Sequence, residues 1–175
     1  AEIRILTNAL EATDVAAVHS GYIKRRKKLL QAGIELYEMK SRSGAFKKAA
    51  KEASKESGSG SGVFGSSGSS LHAKTFAINN NKLFVGSFNF DPRSTRLNTE
   101  LGFLIDSPTL ATELDEVFEE RIRQTAYQVK LDNKGKLFWV EQGDPTIIHH
   151  KEPGASWFRR ATVRFLSWLP IDWLL

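Results

Sequence analysis

Apolar and polar residues along the chain fall into short runs whose spacing predicts the elements before any single residue is considered. IRIL at 3 to 6 reads as a strand. A helix follows, with Asp14 as N-cap, Val15, Val18, Tyr22 and Leu29 on one face, and Gly33 as terminator. IELYEM at 34 to 39 is then the next strand, and strand, helix, strand is the order of an α/β layer fold. From 71 onward, LHAKTFAINNNKLFVGSFNF reads as a hairpin and TELGFLID at 99 to 106 as a further strand. Ser107 and Pro108 open a helix as N-cap and first helical residue, with Leu110, Leu114, Val117, Phe118 and Ile122 as its expected buried stripe. YQVKL and KLFWV around LDNKGK predict a second hairpin, and the chain ends on the apolar, aromatic run WFRRATVRFLSWLPIDWLL.

One segment departs from this patterning. Residues 41 to 70 pass from a basic Ala/Lys stretch into Gly and Ser, a composition that buries too little apolar surface to offset the entropy of ordering it, so a mobile insertion is expected. It lacks the GxxxxGK[ST] spacing and a following helix, which counts against a P-loop.

At 175 residues and 41% hydrophobic, the chain can bury a real core, and its length suits one domain with a tail. With no cysteine, disulfides, Cys-based zinc sites and thiol chemistry are excluded, and the formal charge of +5 favours anionic partners. The run KRRKK at 24 to 28 reads as a solvated helix face. No stretch reaches the roughly 18 apolar residues that span a bilayer. The chain starts without Met almost directly at a strand, as if cut from something longer.

The candidate chemistry lies in the first hairpin and the strand after it. An unsatisfied buried polar group costs about 1 to 3 kcal/mol, yet His72, Lys74, Ser87, Asn89 and Glu100 punctuate these apolar runs. Residues two apart on a strand share a face, so a four-residue turn at Asn79 to Lys82 would set position 72 opposite 89 and 74 opposite 87, converging all four side chains. Lys, Ser and Asn can donate to the non-bridging oxygens of a phosphate, leaving the imidazole to attack. The Glu100 carboxylate could fix the tautomer of that imidazole and stabilise its developing charge. No DxD, HExxH or carboxylate cluster competes, so no divalent metal is expected.

His72, Lys74, Gly86, Ser87, Asn89 and Glu100 together resemble one HKD motif, HxKxxxxDxxxxxxGSxN, of the phospholipase D superfamily. ILTNALEATD, HSGYIKRRKKLLQAGIELYEMK, FVGSFNFDPRSTRLNTELGFLID and the final EPGASWFRR…FLSWLPIDWLL more closely resemble the C-terminal half of bacterial cardiolipin synthases of the C type. The resemblance implies an α/β, phospholipase D-like half-domain over 1–150, a mixed β-sheet flanked by helices, followed by a Trp/Arg-rich tail over 151–175. It also implies His72 as the nucleophile that becomes phosphohistidine, Lys74 with Ser87 and Asn89 as phosphoryl-oxygen ligands, Glu100 as orienter of the histidine, and no metal or other cofactor.

Two departures from the pattern stand out. Asn79 occupies the motif's acidic position, in the expected turn, which points to a structural role there. The family's sites pair two motifs across a pseudo-two-fold and this chain carries one, so the implied partner is a missing N-terminal half or a second copy.

The implied substrate is an anionic phospholipid, met at the cytoplasmic face of a bacterial inner membrane by a peripheral protein. Trp157, Trp168 and Trp173 beside Arg159, Arg160 and Arg164 suit an interfacial anchor; a helix docked on the domain accounts for them equally well. His19 is expected to pack, and His149 and His150 receive no role. Two rival readings are a homodimeric, metal-independent phosphodiesterase or nuclease and a non-catalytic lipid-binding module. The Trp-rich tail and the lipid-enzyme match argue against nucleic acid.

Overall fold

Two sheets share the strands of the computed structural model, which describes residues 3–13, 16–41, 74–87 and 99–169, apart from the side chains of Ala17 and Val18. Strand β1 (Arg4–Asn8) leads through a short turn of 3₁₀ helix at Leu10–Ala12 to helix α1 (Ala16–Gln31) and strand β2 (Glu35–Met39). Strands β3 (Thr75–Ile78), β4 (Lys82–Gly86) and β5 (Gly102–Asp106) form an antiparallel sheet of their own. Helix α2 (Pro108–Val117) continues through a π-helical turn, Phe118–Ile122, and a last turn at Arg123–Thr125. Strands β6 (Ala126–Leu131), β7 (Leu137–Glu141) and β8 (Ile147–His149) complete a five-stranded sheet in the order β1-β2-β6-β7-β8, and helix α3 (Trp157–Trp168) follows. Because β1 and β2 run parallel while the other pairs run antiparallel, the larger sheet is mixed, in keeping with the expected α/β class.

Local signals set many of these boundaries. Gly33 at φ +82° ends α1, donating its N–H to Leu30 O while the Ile34 N–H returns to Leu29 O, both at 3.1 Å. This is the paired closure that glycine permits just beyond a helix end. The Ser107 hydroxyl accepts the Leu110 N–H at 3.3 Å as N-cap of α2, with Pro108 beside it. The expected N-cap of α1, Asp14, and the stripe residue Val15 lie outside the described residues.

Alternation along β2 explains why helices lie on both sides of the larger sheet. Leu36 faces Val129, Trp139 and Tyr127 with Leu29 and Leu30 of α1 packed over them. Tyr37 points the other way, against Ile122, Ala126, Leu6 and Phe118. The stripe expected on α2 is corrected here, because Leu110 and Val117 are exposed while Ala111 is fully buried. The covered line runs through Ala111, Phe118 and Ile122, and positions 110 and 117 stand about a quarter turn off it.

The charge run on α1 is also corrected. Arg25, Lys27 and Lys28 are exposed, but Arg26 is only 2% exposed, locked between two carboxylates. Its Nε meets Glu38 at 3.1 Å and its Nη2 donates to Glu152 at 2.8 Å. Glu38, fully buried, also accepts from the Tyr22 hydroxyl at 3.0 Å and the Trp139 indole N–H at 2.9 Å. A carboxylate with no exposed surface survives folding only with such partners. His19 packs into the same cluster, near Thr13, Arg26 and Glu152, as a satisfied buried residue.

Candidate active site

The hairpin that carries the motif is built on three consecutive asparagines. Asn79 and Asn80 both adopt the left-handed conformation, φ +51° and +49°, and the Asn81 N–H closes on Ile78 O at 3.1 Å. Two successive left-handed residues inside that closure make a type I′ reversal, whose twist matches a hairpin and which asparagine tolerates better than most residues. Asn79 therefore stands in the turn, as the sequence suggested.

That reversal takes three residues rather than four, and the register changes with it. Ile78 pairs with Lys82 and Thr75 with Val85, so the Gly86 N–H reaches Lys74 O at 3.1 Å. Lys74 thus lies opposite Gly86, one residue from the expected pairing with Ser87. Strand alternation alone would put Lys74 and Ser87 on opposite faces. Ser87, however, follows β4 in a bend, where the ladder no longer dictates direction.

The two residues that lead into β5 hold Ser87 instead. The Ser87 N–H donates to Leu101 O at 2.8 Å and the Leu101 N–H donates to Ser87 Oγ at 3.0 Å. Its hydroxyl donates to Glu100 Oε2 at 2.5 Å, a charge-assisted bond across thirteen residues of sequence. Two of the candidate site residues, Ser87 and Glu100, are thereby brought into direct contact. Lys74 is half-buried at the start of the same hairpin, while His72 and Asn89 lie outside the described residues, as does the expected insertion beyond Ser41.

The glycine of the GSxN segment has a packing reason of its own. Gly86 faces Gly102 across β4 and β5, and the Phe84 ring, stacked on Phe76 with centroids 4.7 Å apart, lies over the pair. A Cβ on Gly86 would come within 2.6 Å of Leu101 O, and one on Gly102 within 2.4 Å of the Phe84 ring. Gly102, which the sequence reading did not single out, therefore shapes the strand beside Glu100. Its only advance signal was a glycine inside an otherwise apolar strand. Among the described residues, no group of three or more His, Asp or Glu side chains gathers as a metal cage.

Comparison with known proteins bears on this site through the chain as a whole. The model of the cardiolipin synthase PLD-like domain matches residues 1–123. The chain belongs to that family. Within it, the chain is 49% identical to cardiolipin synthase C of Escherichia coli K12 over 99% of its own length and 35% of that protein. It is 31% identical to an uncharacterized protein of Helicobacter pylori 26695 over 97% of its length and 31% of that protein. This PLD-like chain thus spans about a third of the length of the curated relatives it matches. No solved structure gives a significant match.

Proposed function

We propose that this chain is the C-terminal catalytic part of a phospholipase D-type phosphatidyltransferase that makes cardiolipin. The observation that carries the reading is the ordered set His72, Lys74, Gly86, Ser87, Asn89 and Glu100 within a chain half identical to a cardiolipin synthase. In the proposed reaction the neutral His72 imidazole attacks the phosphorus of a phosphatidyl donor, and the donor's alcohol leaves with a proton from the histidine of a second motif. A glycerol-type hydroxyl of the acceptor then gives its proton to that second histidine and attacks the phosphohistidine, breaking the P–N bond, so the phosphatidyl group is transferred and His72 returns to its neutral form. Lys74, Ser87 and Asn89 bind the phosphoryl oxygens, and Glu100 accepts the other imidazole N–H.

The Ser87–Glu100 bond gives this scheme a specific feature. For Ser87 to donate to a phosphoryl oxygen its hydroxyl hydrogen must leave Glu100, so substrate arrival exchanges that bond for one to the phosphate. The second motif comes from an N-terminal half or from a second copy, and the enzyme works as a peripheral protein at the cytoplasmic face of the inner membrane. Among the described residues, no helix is long and apolar enough to cross a membrane.

The test is His72→Ala in the full-length enzyme with acid-quenched trapping of the phosphoenzyme. Product and a histidine-linked phosphoryl group should both vanish. Synthesis persisting in the variant, or a label trapped elsewhere in the chain, would overturn the assignment.

A further inference from the structure

Helix α3 is docked by one side and bare on the other. Val163 is buried at 1% exposure, and the helix runs alongside α1, with Arg159 near its start donating to Thr13 O and Leu169 just past its end accepting from Lys24 Nζ at 3.2 Å. Arg160 also turns inward, to the carbonyls of Glu152 and Ala155. Two of the three arginines that suited either an interfacial anchor or a docked helix are therefore spent on the domain itself. Docking and anchoring need not exclude one another, because they use different faces.

The outer face carries Trp157, Phe158, Phe165 and Trp168 at 72%, 67%, 63% and 81% exposure. At about 100° per residue these four, with exposed Ala161 among them, fall within one sector roughly 100° wide, and Arg164 borders it on the Trp157 and Trp168 side. Helix α3 holds no acidic residue. Where α3 ends, α1 continues: Lys27 and Lys28, both exposed, stand three and four residues beyond Lys24 and so on its face of the helix.

We infer that this face of α3 is a docking surface for an anionic lipid bilayer, with Trp157, Phe158, Phe165 and Trp168 entering the headgroup–acyl boundary while Arg164, Lys27 and Lys28 meet lipid phosphates. The choice of a lipid surface over a protein one rests on charge. An aromatic stripe on a helix free of carboxylates, bordered by exposed cations at one flank and one end, complements a negatively charged leaflet. It rests on the placement of α3 and not on the reaction proposed above, so either can fail without the other.

Flotation of the full chain with vesicles of phosphatidylglycerol in phosphatidylcholine, and with phosphatidylcholine alone, tests the surface. Binding to the anionic vesicles is expected, falling about tenfold in F165S/W168S and severalfold in K27Q/K28Q or on raising the salt to about 0.5 M. Brominated acyl chains should quench tryptophan emission in the unchanged chain and quench it less in W168F. Equal vesicle binding by F165S/W168S and the unchanged chain would overturn the inference, and K27Q/K28Q answers the question even if the first variant does not fold. It would equally fall if the unchanged chain ignores anionic vesicles and instead self-associates in sedimentation through a contact that F165S/W168S abolishes.

Discussion

Glu152 offers the sharpest test of how the C-terminal segment is tied to the domain. Its carboxylate accepts from Arg26 Nη2 at 2.8 Å and faces His19 Nε2 at 3.3 Å, with the side chain 14% exposed. Desolvation by itself would raise its pKa. The hydrogen bonds and charges of His19 and Arg26 outweigh that and hold it at about 2, against an ordinary 4.5. At about 1.4 kcal/mol for each unit, the ionised form contributes about 3 kcal/mol to folding at neutral pH. The folded value lies below the unfolded one. The contribution is therefore complete above about pH 4.5 and is lost as the pH falls toward 2. Glu152→Gln keeps the shape and removes the charge, leaving Glu38 as the one carboxylate paired with Arg26. Urea unfolding of both chains, followed by circular dichroism at pH 7, 5.5, 4 and 3, should give a difference of about 3 kcal/mol at the first two values and less than half of it at pH 3. A difference below about 1 kcal/mol at pH 7, or one unchanged down to pH 3, would refute the reasoning.

Two further substitutions probe the hairpin. Gly102→Ala should cost about 1 to 3 kcal/mol in thermal unfolding, because the new methyl meets the Phe84 ring and the strands must part; full stability would show that Phe84 yields freely. Asn79→Val should destabilise by about 1 to 2 kcal/mol through the left-handed backbone, while Asn79→Asp, restoring the motif's residue, should stay within about 0.5 kcal/mol and leave the rate of the full-length enzyme unchanged; a large gain in rate would assign position 79 a part in the chemistry.

What could be read in advance was what neighbours in sequence decide. Gly33 ends α1, Ser107 and Pro108 start α2, and LDNKGK reverses β6 into β7, each through hydrogen bonds within a few residues. Arg26 could not be read this way, because the partner that draws it inside, Glu152, lies 126 residues on, and the other, Glu38, is hidden among strand residues. The exposure of Leu110 and Val117 had the same origin, since a helical pattern offers several stripes and only the sheets it packs on select one.

The register of the first hairpin failed for a more local reason with a longer reach. Three asparagines allow a turn of three or four residues, and the left-handed pair Asn79 and Asn80 settles on three. Facing Lys74 and Ser87 by strand alternation is thereby lost. Any convergence of the two on one phosphate depends on the bend at Ser87, which Leu101 and the Glu100 carboxylate, just before β5, hold through hydrogen bonds. Ser87 is thus positioned by the two residues that lead into β5, so a change at Leu101 or the adjoining Gly102 should disturb Ser87 and Glu100 together.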